Sequence, residues 1–165
     1  MRSDSRLIIA ASKAITDTGK WGTGRMPRTA FPLSRSGAKA YRLGNRRWRV
    51  VTFSAAGAEC RLLISYSFAL FEYQAMLGVM IGDDTKVVAT LEHHANHNPP
   101  WHAHLCCDPL SEIPVGIKRG PWNKRFCGTA KRYRERFPNT DGSAFNMAAR
   151  FFKLGARSGQ GLDAL

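Results

Sequence analysis

Leu91-Glu-His-His-Ala-Asn-His-Asn-Pro-Pro-Trp-His-Ala-His-Leu-Cys-Cys-Asp108 holds all five histidines of the chain and two of its four cysteines. Pro99 and Pro100 remove backbone donors and fix φ, so an extended segment running into them must stop and turn. From Trp101 the residue types alternate with the two-residue period of a β-strand. His102, His104, Cys106 and Asp108 fall on one side, with Trp101, Ala103, Leu105 and Cys107 on the other. Before the prolines the same period puts Val87, Ala89 and Leu91 inward and Thr90, Glu92 and His94 outward. The stretch reads as a hairpin with one chemical face and one core face. It sets the expectation for the fold, which is antiparallel neighbours with one packed side.

Upstream, the alternation continues. Gly82-Asp83-Asp84 is a turn, and Phe71 to Ile81 carries Phe71, Tyr73, Ala75, Leu77, Val79 and Ile81 opposite Glu72, Gln74 and Met76. Strict alternation over that length favours strand over helix. Cys60 to Ser67 places Leu62, Ile64 and Tyr66 on one face, Ala56-Gly57 reads as a turn, and Tyr41 to Phe53 alternates Arg47, Arg49, Val51 and Phe53 with Trp48, Val50 and Thr52. At the ends the period changes. Leu7, Ile8, Ala11, Ala14 and Ile15 predict a helix over Arg6 to Thr18, capped by Ser3, Asp4 or Ser5 and stopped by Gly19. Phe145, Ala148, Ala149 and Phe152 predict a second helix, capped by Asp141 or Ser143 and ended by Gly155, whose stripe covers the sheet together with the first.

The expected fold is α+β, a curved antiparallel sheet of about five strands in a meander flanked by N-terminal and C-terminal helices. Gly19 to Ala40 reads as a long basic loop anchored by Trp21 and Phe31, Pro109 to Arg125 as a basic, turn-rich connection, and Lys131 to Phe137 as a charge run interleaved with Tyr133 and Phe137. Residues 156–165 read as a frayed tail.

With 165 residues and 44% hydrophobic composition, the chain suffices for one core, and a single domain over 1–165 is expected. Lys and Arg number 25 against 12 Asp and Glu, a net charge of +13, which calls for a polyanionic partner, nucleic acid first. The basic residues interleave with aromatics instead of forming a long amphipathic basic helix, which argues against a membrane surface. No apolar run approaches the roughly 20 residues of a membrane span. The N-terminal segment lacks the pattern of a signal peptide, and the cysteines lack framework spacing, so reduced thiols and a cytoplasmic location are expected.

If the two strands of the hairpin pair, Glu92 and His94 stand beside His102, His104 and Cys106. A carboxylate next to imidazoles is an acid–base device, with His102 and His104 as the catalytic pair and Glu92 and His94 assisting. His97, at the loop tip, orients a phosphate or faces water. Phosphodiester cleavage suits such a site, and in RNA the 2′-hydroxyl is a built-in nucleophile, so no cofactor is required. Arg47, Arg49, Lys118, Arg119, Lys124 and Arg125 are the expected phosphate contacts, with Trp122 available to stack on a base. The same face also suits a divalent metal such as zinc, held by His94, His102, His104 and Cys106, with Glu92 a further donor, although no standard zinc spacing is present. A polar hairpin without chemistry is the plainest alternative. There is no Walker loop, dinucleotide fingerprint, G-x-S-x-G or zinc-deaminase signature, and a Pro/Gly-rich loop follows where an HNH-type nuclease would place a metal-binding helix.

His93-His94-Ala95-Asn96-His97, followed by Pro99-Pro100-Trp101-His102-Ala103-His104, resembles the histidine-rich hairpin of small bacterial toxins of the TumE type, partners in toxin–antitoxin pairs. The resemblance covers this stretch alone, with His97, His102 and His104 matching in kind; Gly19 to Ala40 and Gly120-Pro-Trp122 have no counterpart. It implies a small intracellular effector acting on RNA, with an antitoxin as protein partner. The expectation is a basic, histidine-based ribonuclease of toxin or defence type. The alternatives are a non-enzymatic nucleic-acid-binding protein of a phage or mobile element with a structural or metal-binding hairpin, and an interaction module for an acidic protein.

Overall fold

A computed structural model describes residues 4–33, 42–97, 99–117, 120–121, 123–127 and 137–155, with backbone alone at 42 and 125–127. In chain order the elements are α1 (Ser5–Ala10), β1 (Lys13–Asp17), β2 (Gly22–Arg25), β3 (Arg42–Ala55), β4 (Ala58–Ser67), β5 (Glu72–Ile81), β6 (Asp84–His94), β7 (Trp101–Cys106), β8 (Asn123–Cys127), α2 (Asp141–Phe152) and β9 (Leu154–Gly155). Short 3₁₀ turns occupy Arg28–Ala30 and Leu110–Glu112.

The five alternating segments become β3 to β7, consecutive antiparallel neighbours as the meander requires. They form the middle of a larger, mixed sheet. Among the described residues it has nine strands in the order β8-β7-β6-β5-β4-β3-β1-β9, with β2 also paired to β3 and β1 parallel to β9. The class is α+β, but about five strands between two flanking helices undercounts the sheet and overstates the first helix.

Each miss has a local cause. The helix expected over Arg6 to Thr18 is a single capped turn and a half: Ala11 leaves helical geometry at ψ 146°, and Lys13–Asp17 pairs with β3. Lys13 ends the helix by donating from its ammonium to the Ile9 and Ala11 carbonyls, at 2.9 and 2.7 Å. Ile15 and Thr16 are β-branched and serve a strand as well as a helix once a partner is present. Gly19 to Ala40, read as loop, contains β2, whose Gly-Thr-Gly-Arg sequence carries no apolar alternation. Gly22 is required there because the Trp48 ring stands 2.5 Å from where a Cβ would be. The connection from Pro109 likewise ends in β8, which pairs with β7. α2 stops at Phe152, Lys153 takes the left-handed conformation, and Leu154–Gly155 continues as strand instead of closing a helix. The run at 131–136 and the tail at 156–165 lie outside the described residues.

Period-two alternation divides the sheet into two faces. One packs Val51, Phe53, Leu62, Ile64, Tyr73, Ala75, Leu77 and Leu91 against Ile8 of α1 and Phe145, Ala148 and Phe152 of α2. The predicted stripe of α2 does cover the sheet together with α1. The other face has a smaller apolar patch, in which Met26, Phe31 and Leu33 lie over Leu63, Met76 and Val87. A register shift between Leu77 and Gly78 brings the successive residues Val88 and Ala89 to the helix-face core, so that Val87, expected inward with Ala89 and Leu91, turns to the second patch instead. Beyond that patch the second face is polar.

Lys13 is 1% exposed, and burial pushes its amine down from an ordinary 10.5 to about 8. Between those pH values the unfolded chain holds a proton that the folded chain lacks, so stability rises with pH across that window. The contribution is at most roughly 3 kcal/mol. In urea titrations at pH 7.5 to 10.5, Lys13→Met is expected to flatten that rise relative to the parent protein.

Candidate metal centre

On the polar face, one row of side chains crosses the sheet. Register pairs Trp48 with Ser65, Ser65 with Gln74, Gln74 with Glu92, Glu92 with His102 and His102 with Cys127. Directly opposed residues hold their Cβ atoms about 5 Å apart, so each can touch the next. His94 lies two residues along β6 on the same side and opposes Glu72, while His104 lies two residues along β7 and opposes Thr90 and Arg125. The hairpin brings together the carboxylate and imidazoles that strand period placed on one face.

Glu92 is the centre. It is 4% exposed, and its Oε2 receives Nε2 of His102 at 3.1 Å and Nε2 of His94 at 3.3 Å. Oε1 accepts from Gln74 Nε2 at 3.4 Å. His102 is buried, whereas the His94 side chain is 36% exposed and opens the group to solvent. The donor atoms of Glu92, His94 and His102 all lie within 4.8 Å of one another, so this group could hold a metal ion. Tetrahedral ligands about 2.0–2.1 Å from a zinc ion stand about 3.3 Å apart. The two nitrogen–oxygen separations, 3.1 and 3.3 Å, are already close to that spacing.

The other histidines divide. His97 packs its ring 4.8 Å from His94 and 5.4 Å from His102. His104 meets His102 edge-on at 5.3 Å, and its Nδ1 is 3.1 Å from Asn123 Oδ1, which fixes the ring. His93 turns to the helix face, between Trp101 and Phe137, with Nδ1 2.7 Å from the Phe71 carbonyl. Burial lowers its pKa.

Two sequence expectations for the metal set are corrected. His104 and Cys106 are not members of the close group. Cys106 is 1% exposed and packs with the helix-face core, its thiol receiving Asn123 Nδ2 at 3.7 Å. Cys60 and Cys107 are free thiols.

Nor do Arg47 and Arg49 sit with the histidines; both belong to the helix face. Arg47 pairs with Asp141 in the first turn of α2 and donates to Thr23 Oγ1 at 2.8 Å. Its guanidinium holds the Asp141 carboxyl below the usual range, and the Tyr66 hydroxyl donates to the same carboxylate at 2.6 Å. Arg49 lies over the Phe145 ring at 4.4 Å and donates to the Thr18 carbonyl at 2.7 Å. Lys124 opposes Leu105, one residue out of phase with the histidines, and Arg125 opposes His104, its side chain not described. Lys118, Arg119 and Trp122 lie outside the described residues.

Sequence reasoning missed Arg46 and Gln74. Arg46 pairs with Glu72, and together with Ser65, Gln74 and His94 they line a cavity of about 130 Å³ beside the triad. Arg46 differs from Arg47 and Arg49 only in strand parity, a signal already present in the alternation. Comparison with known proteins found no family model, no curated protein and no solved structure that matches the chain. Among the described residues no helix is long and apolar enough to cross a membrane.

Arg49→Ala is expected to lower unfolding free energy by roughly 2 kcal/mol, through the lost ring contact and carbonyl bond. Arg47→Ala, half-exposed and screened, should lower it by about 1 kcal/mol. Equilibrium denaturation checks both; residues used purely as phosphate contacts would leave stability unchanged.

Proposed function

We propose that the protein is a metal-dependent phosphodiesterase acting on nucleic acid, with RNA favoured over DNA. The observation that carries this reading is the convergence of Glu92, His94 and His102 on one point of the polar face. Two imidazoles and a carboxylate suit a zinc-class ion better than magnesium, which prefers oxygen ligands. Such an ion, when bound, supplies Lewis acidity and a water of lowered pKa. The chain's own groups supply the rest. Glu92 contributes the negative charge that holds a cation inside a chain of net charge +13. His94 leaves the site open on its solvent side. His104, held by Asn123, carries the proton to or from the reacting oxygen. Arg46 receives a phosphate by exchanging Glu72 for it. A toxin or defence role in the cytoplasm, with an antitoxin as protein partner, accords with the resemblance of the hairpin.

A second reading has its own support. Glu92 and His102 are 4% and 2% exposed, as expected of a structural metal site in a non-enzymatic nucleic-acid-binding protein. Labelled RNA and DNA, incubated with chelator-stripped and zinc-restored protein, separate the two. The enzyme reading expects cleavage that needs the metal and is abolished in Glu92→Ala and His102→Ala. His104→Ala should lower kcat about a hundredfold with metal content unchanged. Arg46→Ala should reduce the salt slope of binding by about one. Tight binding without cleavage in any metal form would establish the second reading instead.

A further inference from the structure

The triad supplies three ligands where a tetrahedral zinc-class ion takes four, and an imidazole stands beside it. His97 is exposed at the loop tip, yet its ring contacts those of both His94 and His102, tilted by 52° and 34°. The backbone holds it there. Its N–H donates to the His94 carbonyl at 3.0 Å, and the His94 N–H donates to the Pro100 carbonyl at 3.0 Å, so both ends of the turn are tied to the residue that carries a ligand. Three imidazoles around a buried carboxylate suit a cation. Imidazole nitrogen and carboxylate oxygen are both donors that a zinc-class ion accepts. The His97 nitrogens stand outside the convergent group of Glu92, His94 and His102, but an exposed side chain moves between staggered rotamers at little cost, so the ring is free to turn toward it.

We propose that His97 is the fourth protein ligand, completing a Glu92–His94–His97–His102 site for a zinc-class transition metal. This rests on the metal reading above but not on cleavage. Four protein ligands fill a tetrahedral shell, so in the enzyme reading the exposed His97 would be the ligand that gives way to water.

The test uses the full chain, stripped with chelator and titrated with Zn²⁺ and Co²⁺. One ion per chain is expected, with the intense visible bands of four-coordinate cobalt. His97→Ala should keep the parent circular dichroism and unfolding curve and bind at least about tenfold more weakly, since even outer contacts of a ligand are worth that much. Its cobalt bands should fade to those of higher coordination. His97→Cys should restore binding and add a thiolate-to-metal charge-transfer band, which a merely structural residue would not produce. Parent-like affinity and spectrum in His97→Ala, or no charge-transfer band in His97→Cys, overturns His97 as a ligand while Glu92→Ala and His102→Ala still abolish binding. Failure of the parent protein to bind either ion overturns the triad as well.

Discussion

A buried carboxylate is the constraint on which the polar face depends. Removing Glu92 from water costs several kcal/mol unless hydrogen bonds or a cation compensate. The fold meets this with Gln74 on one oxygen and His94 and His102 on the other, from three adjacent strands. That arrangement exists only in one register. Sliding β7 by a single residue against β6 would bring Trp101 or Ala103 into the row and send His102 to the helix face. The apolar alternation that packs Leu91, Trp101 and Leu105 on the helix face is therefore what aims the imidazoles at Glu92.

The two faces divide the work of the sheet. Stability comes from the helix face, where α1 and α2 bury aromatic and aliphatic side chains and where Arg47, Tyr66 and Asp141 tie the start of α2 to the sheet. Among the described residues the polar face holds the apolar patch under Phe31, and beyond it Ser65, Gln74, Glu92 and the histidines. Three neighbouring arginines show how sharp the division is. Arg47 and Arg49 brace the helix face, while Arg46, of the opposite strand parity, reaches Glu72 at the edge of the histidine group.

The hairpin and its face were legible because strand period is a local property: Glu92, His94, His102 and His104 announce their side two residues at a time. The long strands from Arg42 to Cys106 were legible for the same reason. What depends on distant pairing was not. Lys13–Asp17 resembles a helix until β3 and β9 lie alongside, and Gly22–Arg25 resembles a loop until Trp48 fills the space beside Gly22. The ligand set was narrowed by geometry of another kind. Cys106 shares its parity with His102 and His104, but it lies where β7 ends, and there the core takes the thiol. Arg47 and Arg49 were chosen as phosphate contacts on charge, when their alternation with Arg46 and Trp48 already set them against the helices.

Zinc K-edge X-ray absorption of the zinc-loaded full chain addresses the central claim most directly, because it reads the identity of the donor atoms. The account predicts a shell of nitrogen and oxygen at about 2.0–2.1 Å with imidazole multiple scattering and no sulfur. A sulfur shell at about 2.3 Å would place a cysteine in the site. That result, or a spectrum of hydrated zinc alone, would contradict it.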